Sequence, residues 1–128
     1  MDTARPGLQR GFTLVEIMIV VAIIGLLAAI AIPNLVKARA TSQANACINN
    51  LRQIDAAVSQ MAIEHGLSTG SGYSFPGDIT PYLKLTSAGV MPGCPAGGIY
   101  ADGAIGYAIP TCTLSTTVNP PHVLPFQP

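Results

Sequence analysis

Twenty consecutive residues, Ile17 to Val36, carry no charged side chain. At 1.5 Å per residue such a run spans about 30 Å as a helix, the thickness of a bilayer core, so it can cross a membrane. No ordinary soluble domain accommodates it easily. The surrounding residues extend the constraint. From Phe12 to His65 there is one Gly, Gly25, and one Pro, Pro33, in a stretch rich in Ala, Ile, Leu and Val, which predicts one long helix over 12–65. Beyond Lys37 the pattern narrows to a single apolar stripe at spacings of three and four: Ala44, Cys47, Ile48, Leu51, Ile54, Val58, Met61 and Ala62. Asn45, Asn49, Arg52, Gln53, Gln60 and Glu64 fall on the opposite face, and His65-Gly66 is a helix stop. Residues 12–36 therefore need apolar surroundings on every side, and residues 37–65 need a partner on one face only.

The remainder differs sharply in composition. Residues 66–128 hold ten of the thirteen Gly and nine of the eleven Pro but only three charges, Asp78, Lys84 and Asp102. Turns must dominate there, and the expected fold is α+β: a long amino-terminal helix, membrane-spanning in its first half and amphipathic in its second, packed on a small loop-rich β-hairpin head. Ahead of the helix, residues 1–11 are polar and carry Arg5 and Arg10, a leader of positive-inside character. The expected divisions are 1–11, 12–65 and 66–128.

Several functions are not expected. Six basic and six acidic side chains balance over the 128 residues, and Lys84 is the only Lys or Arg beyond Arg52, so nothing draws nucleic acid. No Ser, Cys or Thr nucleophile has a recognisable His partner, which argues against an enzyme. The helix has no aromatic residue after Phe12, which argues against electron conduction along it. With two His in all, and no Cys-x-x-Cys or His-x-x-x-His spacing, neither a metal site nor any other cofactor is expected.

The three cysteines allow three single pairings. Cys94 and Cys112 flank Gly97 to Ala101, the turn Asp102-Gly103, and Ala104 to Ile109. A hairpin folding around Gly103 would set position 94 opposite position 112, which makes these two the expected disulfide. Cys47 would remain on the helix stripe as a small buried apolar residue.

The most informative residue is Glu16, a carboxylate at the edge of a segment that should exclude one, since a charge near the bilayer centre costs about 2.5–3.5 kcal/mol on insertion scales. Thr13-Leu14-Val15-Glu16 fits a helix capping box, one account of it. A second follows if the chain is cut after Gly11: Phe12 then presents a free amino group about 6 Å of helix rise from Glu16, and the two charges can pair within one subunit or between staggered neighbours.

The stretch Gly11-Phe12-Thr13-Leu14-Val15-Glu16, followed by the apolar run Ile17 to Ile32 and by Pro33, resembles the amino-terminal signature of type IV pilins and of the related pseudopilins of type II secretion. The resemblance is close from Arg10 to about Lys37 and offers no motif in the last 63 residues. It implies cleavage after Gly11 by a prepilin peptidase, methylation of Phe12, an assembly role for Glu16, and a segment between Gly25 and Pro33 that can kink or lose helical order in a filament. It implies as partners further copies of the chain and an inner-membrane assembly platform. Its implied location is the inner membrane, amino terminus cytoplasmic, for the precursor, and a periplasmic or extracellular filament afterwards. The alternative is a secreted or bitopic protein that uses residues 1–36 only as signal peptide or anchor, with Ala29-Ile30-Ala31 as an A-x-A cut site. An apolar run this long, with a helix continuing far past that cut, speaks against it.

Overall fold

The computed structural model describes residues 11–106 and 108–125; Arg5, Arg10, the rest of the leader and Tyr107 lie outside that range. Its main element is α1, Leu14–Glu64, an uninterrupted helix of 51 residues that passes through both Gly25 and Pro33. The fold is the expected α+β arrangement of a long amino-terminal helix and a small sheet. By packing, the chain divides into two compact units, Met1–Lys37 and Ala38–Pro128. The second half of α1 therefore belongs with the loop-rich part of the chain, and the division falls at the end of the charge-free run.

In the first unit, every large apolar side chain from Phe12 to Val36 is exposed, from 50% at Ile17 to 84% at Phe12. A helix apolar all round has no aqueous solution of its own, so this segment requires lipid or other apolar helices.

In the second unit, one face of α1 supplies half of the core. Cys47, Leu51, Ile54, Ala57, Met61 and Ala62 are buried against Ile79, Leu83, Cys94, Tyr100, Ile105 and Cys112. The stripe is rotated slightly from its expected centre: Ala57 is fully inside, while Ile48 and Val58 are half-buried at its margins. All six residues expected on the polar face are exposed.

The helix ends as its sequence dictates. Leu67 N–H donates to the Ala62 carbonyl at 2.8 Å and Gly66 N–H to that of Ile63 at 3.3 Å, with Gly66 left-handed at φ +62°. This is a Schellman closure, and half-buried Leu67 packs back on the core. A Cβ at position 66 would meet nothing within 4 Å. Gly66→Ala is therefore expected to cost only the conformational penalty, about 1–2 kcal/mol, read as a lowered urea midpoint at unchanged slope.

Among the described residues, regular structure in the head is sparse: a 3-10 turn, Thr80–Tyr82, and two strands of two residues each, β1 (Tyr100–Ala101) and β2 (Thr111–Cys112). The strands pair antiparallel, Tyr100 with Cys112 and Ala101 with Thr111. This corrects the expected register. The reversal centres on Gly106, not Gly103, and the residue facing Cys112 in the ladder is Tyr100, not Cys94. Gly106 has the left-handed backbone the reversal needs, φ +72°. Gly103 is instead packed so closely on Ala108 that a Cβ there would run into its carbonyl. Residues 94–97 cannot extend the strand because they close a turn of their own, Gly97 N–H donating to the Cys94 carbonyl at 2.9 Å.

Candidate functional site

Two groups of residues stand out, one at the start of α1 and one inside the head. At the helix start Thr13 is the N-cap. Glu16 N–H donates to Thr13 Oγ1 at 3.2 Å, and Glu16 Oε2 accepts from the Thr13 N–H at 2.9 Å and from Thr13 Oγ1 at 3.0 Å. The reciprocal capping box read from the sequence is thus present, satisfying donors that the first turn of a helix otherwise leaves unpaired. Both acceptor bonds use one oxygen, Oε2. Among the described residues Oε1 has no hydrogen-bond partner, so capping does not consume the whole carboxylate. Gly11 and Phe12 precede the helix in irregular backbone and are exposed, a form that an endopeptidase can engage. Phe12 therefore lies just ahead of the helix and Glu16 in its first turn, both at the entrance to the apolar segment.

In the head the fold unites what the sequence separates. Cys47 of α1, Cys94 of the turn before β1, Cys112 of β2 and His122 of the carboxy-terminal segment converge, their sulfur and ring-nitrogen atoms all within 4.8 Å of one another. All four side chains are buried, and all three cysteines are free thiols. Cys94 Sγ lies 3.3 Å from His122 Nδ1. Cys94 and Cys112 are near each other as expected, but Cys47 is equally part of the group, so proximity alone does not single out one disulfide.

The surroundings of the cluster are specific. Burial pushes the Cys47 thiol up to about 12, against a weaker opposite pull from the Tyr100 hydroxyl. Burial acts on Cys94 in the same direction, but the backbone N–H groups of Ala96 and Gly98, with the neighbouring Cys47 and Cys112 thiols, outweigh it and hold Cys94 below the ordinary thiol value. Tyr100 is itself raised, by burial first, although Asn50 pulls it down. Asn50 Nδ2 donates both to Tyr100 Oη, at 3.0 Å, and to the Gly93 carbonyl, at 3.1 Å. The half-buried amide thus ties α1 to the loop carrying Cys94. No local motif in the sequence marks Asn50 or His122, and only the fold brings His122 to the three cysteines.

Comparison with known proteins bears on the helix start. A family model described as the prokaryotic N-terminal methylation motif matches residues 7–32. The type IV major pilin protein PilA of Myxococcus xanthus is 59% identical over 46 residues, which are 36% of this chain and 21% of that pilin. A type IV major fimbrial protein of Dichelobacter nodosus, FimA, is 47% identical over 58 residues, 45% of this chain and 37% of that protein. A type IV major pilin protein of Neisseria gonorrhoeae is 32% identical over 99 residues, 75% of this chain and 46% of that pilin. The matched region is thus less than half the length of each of these relatives. No solved structure matches the chain significantly.

Proposed function

We propose that the chain is a prepilin of the type IV pilin family, which its amino-terminal segment resembles: the structural subunit of a type IV pilus, cut after Gly11 and polymerised through the apolar half of α1. The observation that carries this reading is the pairing of a helix whose large apolar side chains from Leu14 to Val36 are all exposed with a carboxylate, Glu16, at its entrance. A membrane anchor alone needs the first, and from the second it needs only the capping bonds made by Oε2, which a neutral side chain can also supply. In a bundle of identical helices each Glu16 finds a cation in the Phe12 amino group of a neighbouring subunit, and Gly25, Ala28, Ala29 and Ala31 allow the helices to approach closely. The stretch from Gly25 to Pro33, which joins a residue of poor helix propensity to one lacking a backbone donor, is where the helix yields most readily to packing in a filament.

In this reading Arg5 and Arg10 hold the leader on the cytoplasmic side of the inner membrane, a prepilin peptidase acts at Gly11-Phe12, and an assembly platform in that membrane delivers subunits to a filament whose heads face outward. The relatives are pilins and fimbrial proteins, which favours a surface pilus over a secretion pseudopilus.

Mass spectrometry of filaments tests the processing step. Phe12, N-methylated, is expected at the amino terminus, and Gly11→Val is expected to leave a membrane-bound precursor that forms no filaments. Filaments built from chains that still begin at Met1 would overturn the reading, as would a mature terminus at Ile32, which belongs to signal-peptide cleavage.

A further inference from the structure

The head is small, has four residues of β-strand among those described, and still brings four ligating side chains to one buried point from four separate segments of chain. We propose that Cys47, Cys94, Cys112 and His122 form a structural zinc site that fastens the head to the helix.

The donor set is the first argument. Three sulfurs and one imidazole nitrogen are a known closed tetrahedral set for zinc, and their softness disfavours calcium, magnesium and manganese. Zinc–sulfur bonds of about 2.3 Å place tetrahedral sulfurs about 3.8 Å apart. The present upper limit of 4.8 Å is reached from there by side-chain movements of about 1 Å. All four groups are more than nine-tenths buried, with Cys47 at 0% and His122 at 3% exposure, so no ligand position is left for water or a substrate. A closed site of that kind is structural, not catalytic.

The surroundings are the second argument. Residues Cys94-Pro95-Ala96-Gly97-Gly98 form a turn, with Gly97 at φ +84° and its N–H on the Cys94 carbonyl, that gathers the backbone N–H groups of Ala96 and Gly98 around Cys94. Such donors compensate the negative charge of a metal-bound thiolate and have little to do at a disulfide sulfur. Gly98 also lets the loop close on the cluster, because a Cβ there would stand 2.5 Å from Cys112 Sγ. On the helix side Asn50 holds the Tyr100 hydroxyl in the buried core that contains Cys47.

Stoichiometry is the third argument. A single disulfide uses two sulfurs and leaves a thiol and an imidazole buried beside it, whereas zinc uses all four groups. Binding exchanges the three thiol protons for one divalent cation, the protons passing to solvent, with no oxidant or reductant needed. The gain matters most in a head with so little regular structure, where a metal replaces the core that a small domain lacks.

The test uses the full chain in detergent, produced with zinc present, and does not depend on how the amino terminus is processed. Elemental analysis is expected to give one zinc per chain, and alkylation under native conditions to leave all three thiols unmodified until a chelator is added. Cobalt exchanged for zinc should show the intense sulfur-to-metal absorption and visible bands of a tetrahedral thiolate site. Cys47→Ser and His122→Ala are each expected to weaken binding at least tenfold, while His122→Cys, which restores a fourth ligand, should retain the metal and strengthen the sulfur-to-cobalt band. An intact mass two hydrogens lighter in metal-free, folded protein, with Cys94 linked to Cys112 or to Cys47, would overturn the proposal. So would zinc whose affinity is unchanged in both Cys47→Ser and Cys112→Ser, since that is an adventitious ion only.

Discussion

Glu16→Ala is expected to insert in the membrane, to be cleaved after Gly11, and to yield no filaments when it is the only subunit present. The helix-start geometry separates two consequences of the substitution. Loss of the capping box removes the bonds between Glu16 Oε2 and Thr13, worth about 0.5–2 kcal/mol of helix-end stability, and Leu14 onward remains anchored by a long apolar segment. That loss frays one turn and does not change where the subunit docks. In the proposed filament, loss of the charge would leave the amino group of each mature Phe12 without its counter-ion inside an apolar bundle, a penalty of several kcal/mol at every interface. Glu16→Gln divides the two, because a glutamine at the third helical position still completes a capping box but carries no charge. Both variants should lose filaments if the ion pair drives docking. Wild-type numbers of filaments in Glu16→Gln cells, counted by electron microscopy with cleavage verified by mass on the same samples, would leave the residue with capping alone.

The helix was legible because its determinants are local. The charge-free run, the T-x-x-E box and the His65-Gly66 stop each act within one or two turns, and each appears where the sequence puts it. The buried stripe was legible to within one residue of rotation. Ala57 is fully inside, while the larger Ile48 and Val58 sit half-buried at the margins. The head was legible only as composition. A two-residue ladder has almost no alternating pattern to fix its register, so the left-handed glycine decided it, and Gly103 and Gly106 are indistinguishable as letters. The four-residue cluster was invisible for a related reason. Metal motifs are recognised when two ligands sit on one turn, and here each ligand comes from a different segment, with Cys47 and Cys112 separated by most of the head.

The second large effect lies where helix and head share a core. Leu51 is completely buried one turn after Cys47 and just before Ile54, on the face that meets Ile79, Tyr100 and Cys112. Leu51→Ala removes three carbons from the middle of that contact. The walls of the resulting cavity come from a rigid helix on one side and from loops fixed by the Tyr100–Cys112 pairing on the other, so the site closes only in part, and the expected loss is about 2–5 kcal/mol. For a domain of this size that corresponds to a fall in Tm on the order of 10–30 °C. Ile63 on the same helix is 84% exposed, and Ile63→Ala is expected to stay within about 0.5 kcal/mol of wild type in the detergent-solubilised monomer. Near-ultraviolet circular dichroism suits the measurement, because the chain has no Trp and both Tyr73 and Tyr100 pack in the affected core, whereas the far-ultraviolet signal is dominated by a helix whose apolar half stays folded in detergent. Equal losses in the two variants would mean that the head is held to the helix by something other than this face. A loss confined to Leu51→Ala places the stability of the head on the stripe that the sequence displays, with the amino-terminal segment left independent of it.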